Sequence, residues 1–134
     1  MINQSPKKVV PLICVVDDDE SMREALESLL KSVGFRTAVY SSATEFLNAA
    51  GQSAPDCLIL DVRMPGVSGL ELQQRLIREN NCIPIVFVSA HSEAGEKEQA
   101  LAAGAVDFLY KPFSEDSLLG AVGAAVKPEA IEEN

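Results

Sequence analysis

The chain has 134 residues, 47% of them hydrophobic and 23% charged, with a formal net charge of −9 at pH 7. That length suits one domain of ordinary size, and no apolar run approaches the roughly 20 residues that a membrane helix needs, which argues against a membrane role. The acidic balance repels a polyanion and argues against direct nucleic-acid binding by this chain, leaving cations and basic or apolar partners.

Met1 to Lys8 carries two lysines but neither an apolar core nor a small-residue cleavage pattern. The sequence therefore predicts a tail over residues 1–8 rather than a secretory signal, and a cytoplasmic protein. Of the three cysteines, Cys14 and Cys57 lie in apolar runs that read as buried strands, so they are expected to be small core residues and not a disulfide or a metal set.

Apolar segments alternate with helical periodicity five times, the pattern of an α/β domain with a parallel sheet. The first strand is read over Val9–Val16. The helix after it places Met22, Ala25, Leu26, Leu29, Leu30 and Val33 on one face and stops at Gly34. A short strand over Arg36–Tyr40 leads to a helix opened by Ser42 with Glu45 three residues on, and closed by Gly51.

The third strand, Cys57–Leu60, ends at Asp61. Beyond the Met64-Pro65-Gly66 turn, Ser68 and Glu71 form a second capping-box pattern opening a helix that carries Leu72, Leu76 and Ile77. Pro84–Val88 is the fourth strand. The fourth helix, Glu93–Ala103, has Leu101 as its one large apolar residue, so it is expected to bury little and to dock weakly. Val106–Tyr110 is the fifth strand, and a last helix over Glu115–Val126 turns Leu118, Leu119, Val122 and Val126 inward, weakened by Gly120 and Gly123. Residues 127–134 are acidic, contain Pro128 and read as a frayed terminus or the start of a linker.

In an open parallel sheet, ligands bind outside the carboxyl ends of the strands, near the point where strand order reverses. Four of the five strands finish in reactive polar side chains: Asp17 and Asp18, Asp61, Ser89, and Lys111. These are expected to converge. Three crowded carboxylates repel one another by about 4 kcal/mol per pair at about 4 Å and an effective dielectric of about 20, so the crevice needs positive charge. Lys111 supplies one, and a hard divalent cation suits the carboxylate oxygens. Mg²⁺ fits best, because it takes few protein ligands and keeps places for water and phosphate. Asp61, alone at a central strand end, is then the candidate nucleophile for forming an aspartyl phosphate, with the Ser89 hydroxyl placed to hydrogen-bond a phosphoryl oxygen. A nucleotide site would want a glycine-rich turn after the first strand. Asp17-Asp18-Asp19-Glu20 stands there instead and repels bare phosphate.

These residues, in this order, resemble the receiver domains of bacterial two-component response regulators, over about Val9 to Val126. Val15-Val16-Asp17-Asp18 is similar to the family's acidic pair, and Leu58-Ile59-Leu60-Asp61 with Met64-Pro65-Gly66 to its phosphoacceptor segment. Val88-Ser89-Ala90 matches the hydroxyl position and Lys111-Pro112-Phe113 the lysine position. The resemblance implies a flavodoxin-like fold, a doubly wound parallel sheet of five strands in the order 2-1-3-4-5 with helices on both faces. It implies that Asp18 and Asp61 ligate Mg²⁺, that Asp17 supports the ion through water, and that the Arg63 backbone carbonyl completes the shell. It further implies a histidine kinase as phosphodonor and Phe108 as a switch aromatic that turns inward as the Ser89 hydroxyl moves toward the phosphoryl group. The partner surface, for an output domain, a downstream protein or a phosphorylation-dependent dimer, would be helix four, strand five and helix five. The resemblance is strongest to regulators carrying a C-terminal helix-turn-helix DNA-binding domain, so the chain is read either as a stand-alone regulator or as a receiver cut from a longer transcription factor.

Each residue also has a plainer reading. Asp19 and Glu20 serve a helix dipole, Lys111 an ordinary surface and Phe108 a core. His91 would be a solvated loop histidine, the run Glu93, Glu96, Lys97 and Glu98 the wet face of a helix, and Lys111-Pro112 is open to either peptide isomer. Two other functions compete with the switch. A pseudo-receiver would keep the fold as a constitutive interaction module, against which the intact Asp18, Asp61, Ser89 and Lys111 argue. A magnesium-dependent phosphatase would need a second acid two residues beyond its nucleophile, where Arg63 stands.

Overall fold

The computed structural model describes residues 10–49, 54–91 and 93–126. Along the chain run β1 (Leu12–Val16), α1 (Glu20–Ser32), β2 (Arg36–Tyr40), α2 (Ala43–Ala49), β3 (Cys57–Asp61), α3 (Gly69–Arg78), β4 (Ile85–Ser89), α4 (Glu96–Ala102), β5 (Asp107–Tyr110) and α5 (Glu115–Val126). The strands form one five-stranded parallel sheet in the order β2-β1-β3-β4-β5, the doubly wound arrangement that the family resemblance implied.

Side chains alternate across a strand, and here the alternation feeds two apolar layers. Ile13, Val15, Ile59, Val86 and Val88 pack against Leu26 and Leu30 of α1 and Leu118, Ala121 and Val122 of α5. Cys14, Val16, Leu58, Leu60 and Phe87 face the other way, onto Phe46 of α2, Leu72 and Leu76 of α3 and Ala100 of α4. Both strand cysteines are buried, and burial pushes the Cys14 thiol up to about 11 and the Cys57 thiol to about 12. Cys82 is exposed.

Several expected details shift. Strand β1 begins at Leu12, with Val10 and Pro11 outside it and Val9 outside the described residues; β4 and β5 each begin one residue later than read. Ser42 caps α2 as expected, accepting from the Glu45 N–H at 3.0 Å, but Glu45 answers to the N–H of Ser41; Gly51 lies outside the described residues. Ala25 is exposed, and Val33, the residue capping the carboxyl end of α1, is half exposed. On α3 the inner face is Leu72, Gln73 and Leu76, while Ile77 is 46% exposed. Ile77 stands one turn beyond the buried Gln73, but next to Arg78, the last residue of α3.

The largest correction is in α4. It starts at Glu96 rather than Glu93, because Gly95 adopts a left-handed conformation (φ +90°) that a continuing helix does not allow. It turns Ala100 into the core and leaves Leu101 38% exposed. A small residue at the contact lets α4 approach the sheet, and the Gln73 side-chain amide fastens it by donating to the Ala100 carbonyl at 3.0 Å.

Candidate functional site

Strand register builds the site. Val16 is paired with Leu60, and Asp61 with Val88, so the residues one step beyond β1 and at the end of β3 emerge side by side, with Ser89 next along β4. Tyr110 pairs with Ser89, and the Lys111 N–H donates to the Ser89 carbonyl at 2.8 Å, which fixes the fourth corner. The Lys111-Pro112 peptide is cis.

The crevice at this edge is about 240 Å³ and is lined by Asp17, Asp18, Asp61, Arg63, His91 and Lys111. Carboxylate oxygens of Asp17, Asp18 and Asp61 all lie within 4.8 Å of one another. Asp17 is fully buried and Asp61 is 5% exposed, whereas Asp18 faces solvent. The Lys111 ammonium sits 2.9 Å from Asp17 Oδ2 and 3.7 Å from Asp61 Oδ1. One lysine thus reaches two of the three acids. Burial, and after it the charge of Asp17, pushes the Asp61 carboxyl up to about 6; Lys111 opposes the shift, Asp18 adds to it, and the Arg63 backbone N–H, which hydrogen-bonds the carboxylate, opposes it again.

The segment after β1 is braced from within. The Asp17 carboxylate accepts the Asp19 N–H at 2.9 Å, its carbonyl accepts from Arg23 at 2.8 Å, and Asp19 caps α1 by accepting the N–H groups of Ser21 and Met22. Asp19 is therefore a cap, in keeping with its plainer reading. After β3, the Ser68–Glu71 capping box is complete in both directions.

Ser89 is buried at the end of β4, and its hydroxyl donates to the His91 carbonyl at 2.7 Å. Phe108 is buried on β5, with ring centroids 5.8 Å from Phe87 and 5.4 Å from Tyr110.

Two residues escaped the sequence reading. Gly69 is buried against the end of β3, where a Cβ would overlap the Asp61 carbonyl oxygen, so only glycine lets α3 start this close. Glu96, read as part of a wet helix face, is only 17% exposed and binds Arg63 with both carboxylate oxygens, at 3.1 and 3.0 Å. A pair 33 residues apart leaves no signal in one sequence.

The donor set is all oxygen, buried on one side and open on the other, which suits a hard cation that retains water and not a zinc-type site of nitrogen and sulfur. Receiver domains as a family bind Mg²⁺ in an acidic pocket, and the cluster here is of that composition.

Comparison with known proteins agrees with this geometry. The family model of the response regulator receiver domain matches residues 13–123. Response regulator protein TmoT of Ectopseudomonas mendocina is 51% identical over 116 residues, covering 87% of this chain and 53% of that protein. Transcriptional regulatory protein FixJ of Bradyrhizobium diazoefficiens is 38% identical over 115 residues, 86% of this chain and 56% of FixJ. The chain spans about half the length of these curated relatives. Among solved structures, FixJ-N superposes with a TM-score of 0.82 at 31% identity, covering 93% of this chain and 100% of that one. Response regulator StyR superposes with a TM-score of 0.79 at 42% identity, covering 89% and 60%.

Proposed function

The chain belongs to the response regulator receiver family of two-component systems, and from that premise we propose that Asp61 is its phosphoacceptor, fed by a histidine kinase. The observation that carries this reading is the cluster of Asp17, Asp18 and Asp61 oxygens within 4.8 Å, with the Lys111 ammonium at 2.9 and 3.7 Å from two of them. Mg²⁺ held by Asp18, Asp61 and the Arg63 carbonyl, with Asp17 behind it, would offset negative charge on the transferring phosphoryl group.

The chain's own residues do the rest. An Asp61 oxygen attacks phosphorus in line as the P–N bond of the donor phosphohistidine breaks. Lys111 holds Asp17 and Asp61 in place and neutralises part of the charge that arrives. The Ser89 hydroxyl, already a donor to a carbonyl, is a donor that a phosphoryl oxygen can recruit. Phe108 already lies inward beside Phe87 while the Ser89 hydroxyl is still on the His91 carbonyl, so the movement of Ser89 and the segment after it would carry the signal to the face formed by α4, β5 and α5, where an output domain, a downstream protein or a second copy would dock. We place this switch in residues 9–126, with residues 1–8 and 127–134 flanking it, in the cytoplasm. On this reading the protein is not an enzyme acting on others; it catalyses its own phosphorylation and dephosphorylation.

No observation favours a pseudo-receiver. Nor does Arg63, whose side chain is bound to Glu96, offer the acid that a phosphatase would need. Incubation with acetyl phosphate, with and without Mg²⁺, followed by intact mass and peptide mapping, tests the proposal. The expected result is one Mg²⁺-dependent phosphoryl group on Asp61, lost in Asp61→Asn; uptake that survives this substitution would overturn the assignment.

A further inference from the structure

Arg63 belongs to two places at once. Its backbone N–H hydrogen-bonds the Asp61 carboxylate, and the residue lines the acidic crevice. Its guanidinium reaches the amino end of α4 instead, bidentate on Glu96 at 3.1 and 3.0 Å, 3.6 Å from Glu93, and donating to the His91 carbonyl at 3.4 Å. That carbonyl is also the acceptor of the Ser89 hydroxyl, at 2.7 Å. Glu96 in turn accepts the Glu93 N–H at 2.8 Å, so the same carboxylate ties down the residues leading into α4. Because Gly95 gives α4 no side-chain cap and Ala100 is its one buried residue, these polar ties carry much of what fixes its amino end.

We propose that the Arg63 side chain is a positioning residue, a latch that holds the segment between β4 and α4 where the Ser89 hydroxyl is spent on the His91 carbonyl. This rests on the roles given above to Asp61 and Ser89. A phosphoryl group on Asp61 brings close to two negative charges and strong acceptor oxygens beside the guanidinium. It competes with Glu96 for Arg63. Drawing the guanidinium away loosens the amino end of α4 and unpins the segment that carries the His91 carbonyl, so that this carbonyl can move off and the Ser89 hydroxyl turns to the phosphoryl group. The pair is not deeply buried, its side chains being 45% and 17% exposed, so it is weak enough to yield and is screened by salt.

The test leaves the crevice residues untouched. Glu96→Gln keeps the shape and drops the charge, while Glu96→Asp keeps the charge. Hydrogen exchange at α4 amides, measured without phosphodonor, reads the latch itself; the rate of acetyl phosphate uptake with Mg²⁺ reads its coupling to the site. In Glu96→Gln both should rise about two- to fivefold, the range expected for one partly exposed ion pair, with Glu96→Asp closer to the wild type. Raising ionic strength should speed α4 exchange in the wild type and not in Glu96→Gln. Unchanged exchange overturns the latch, and faster exchange with unchanged or slower uptake reduces Glu96 to a structural tether and overturns the coupling. Should the wild type take up no phosphoryl group, the phosphoacceptor reading fails and the coupling with it, while the exchange measurement still decides the latch.

Discussion

Helices α1 and α4 both begin where a strand empties into the acidic crevice, yet they are held by opposite means. Helix α1 runs for 13 residues, is capped by the Asp19 side chain and buries Leu26 and Leu30 completely, with Met22 and Leu29 beside them. Helix α4 runs for 7 residues, has no side-chain cap and buries Ala100 alone. Its fastenings are polar: Arg63 to Glu96, the Gln73 amide to the Ala100 carbonyl, and the Lys97 ammonium 5.6 Å from the Tyr110 ring centre. Apolar burial is indifferent to charge, whereas ion pairs and hydrogen bonds are not. A phosphoryl group arriving between the two helices would therefore leave α1 in place and act on α4, which is the asymmetry that a receiver needs.

Truncation of the anchors breaks this comparison most directly. Leu26→Ala in α1 should cost about 3 kcal/mol of unfolding free energy, the usual penalty for a buried leucine that leaves a cavity, while Leu101→Ala in α4 should stay within about 0.5 kcal/mol. Urea titrations of both variants decide it, and equal losses would mean that α4 is packed as firmly as α1.

The crevice between the helices is sharpened by pH. The Asp61 carboxyl titrates at about 6 in the folded protein against an ordinary 3.8, so the folded state retains a proton there that the unfolded chain has released. Stability from this group is therefore full below about pH 3.8 and is lost as pH rises through 6, on the order of 2–3 kcal/mol by pH 7.5 in the absence of metal. Asp61→Asn, neutral throughout, should be more stable than the wild type at pH 7.5 without Mg²⁺, and the gap should narrow at pH 5. Mg²⁺ should stabilise the wild type more than the variant. Parallel stability curves for the two proteins would mean that burial and charge crowding do not raise the Asp61 carboxyl in the folded state.

The smallest effect concerns the cap. Asp19→Ala should cost about 1 kcal/mol, seen as a lower urea midpoint with early fraying of the first turn of α1. A neutral result would mean that the buried leucines alone define where α1 begins.

The periodicity of apolar residues was enough to give the order of elements, because a two-residue period marks strands and a three- to four-residue period marks helices whatever they pack against. Chemistry at strand ends was legible for a related reason. In a parallel sheet the carboxyl ends share one edge, so Asp17, Asp18, Asp61, Ser89 and Lys111 were expected together before any register was known. What the tertiary structure alone decided was contact between segments distant in sequence. The choice of Ala100 over Leu101 as the buried residue of α4 depends on how the helix rolls against β4 and β5. The need for glycine at Gly69 depends on the Asp61 carbonyl lying against it, and the change of Glu96 from solvent face to partner of Arg63 depends on the loop after β3 meeting the amino end of α4. A linear pattern records which face of an element is apolar, but not which atoms of another element that face will meet.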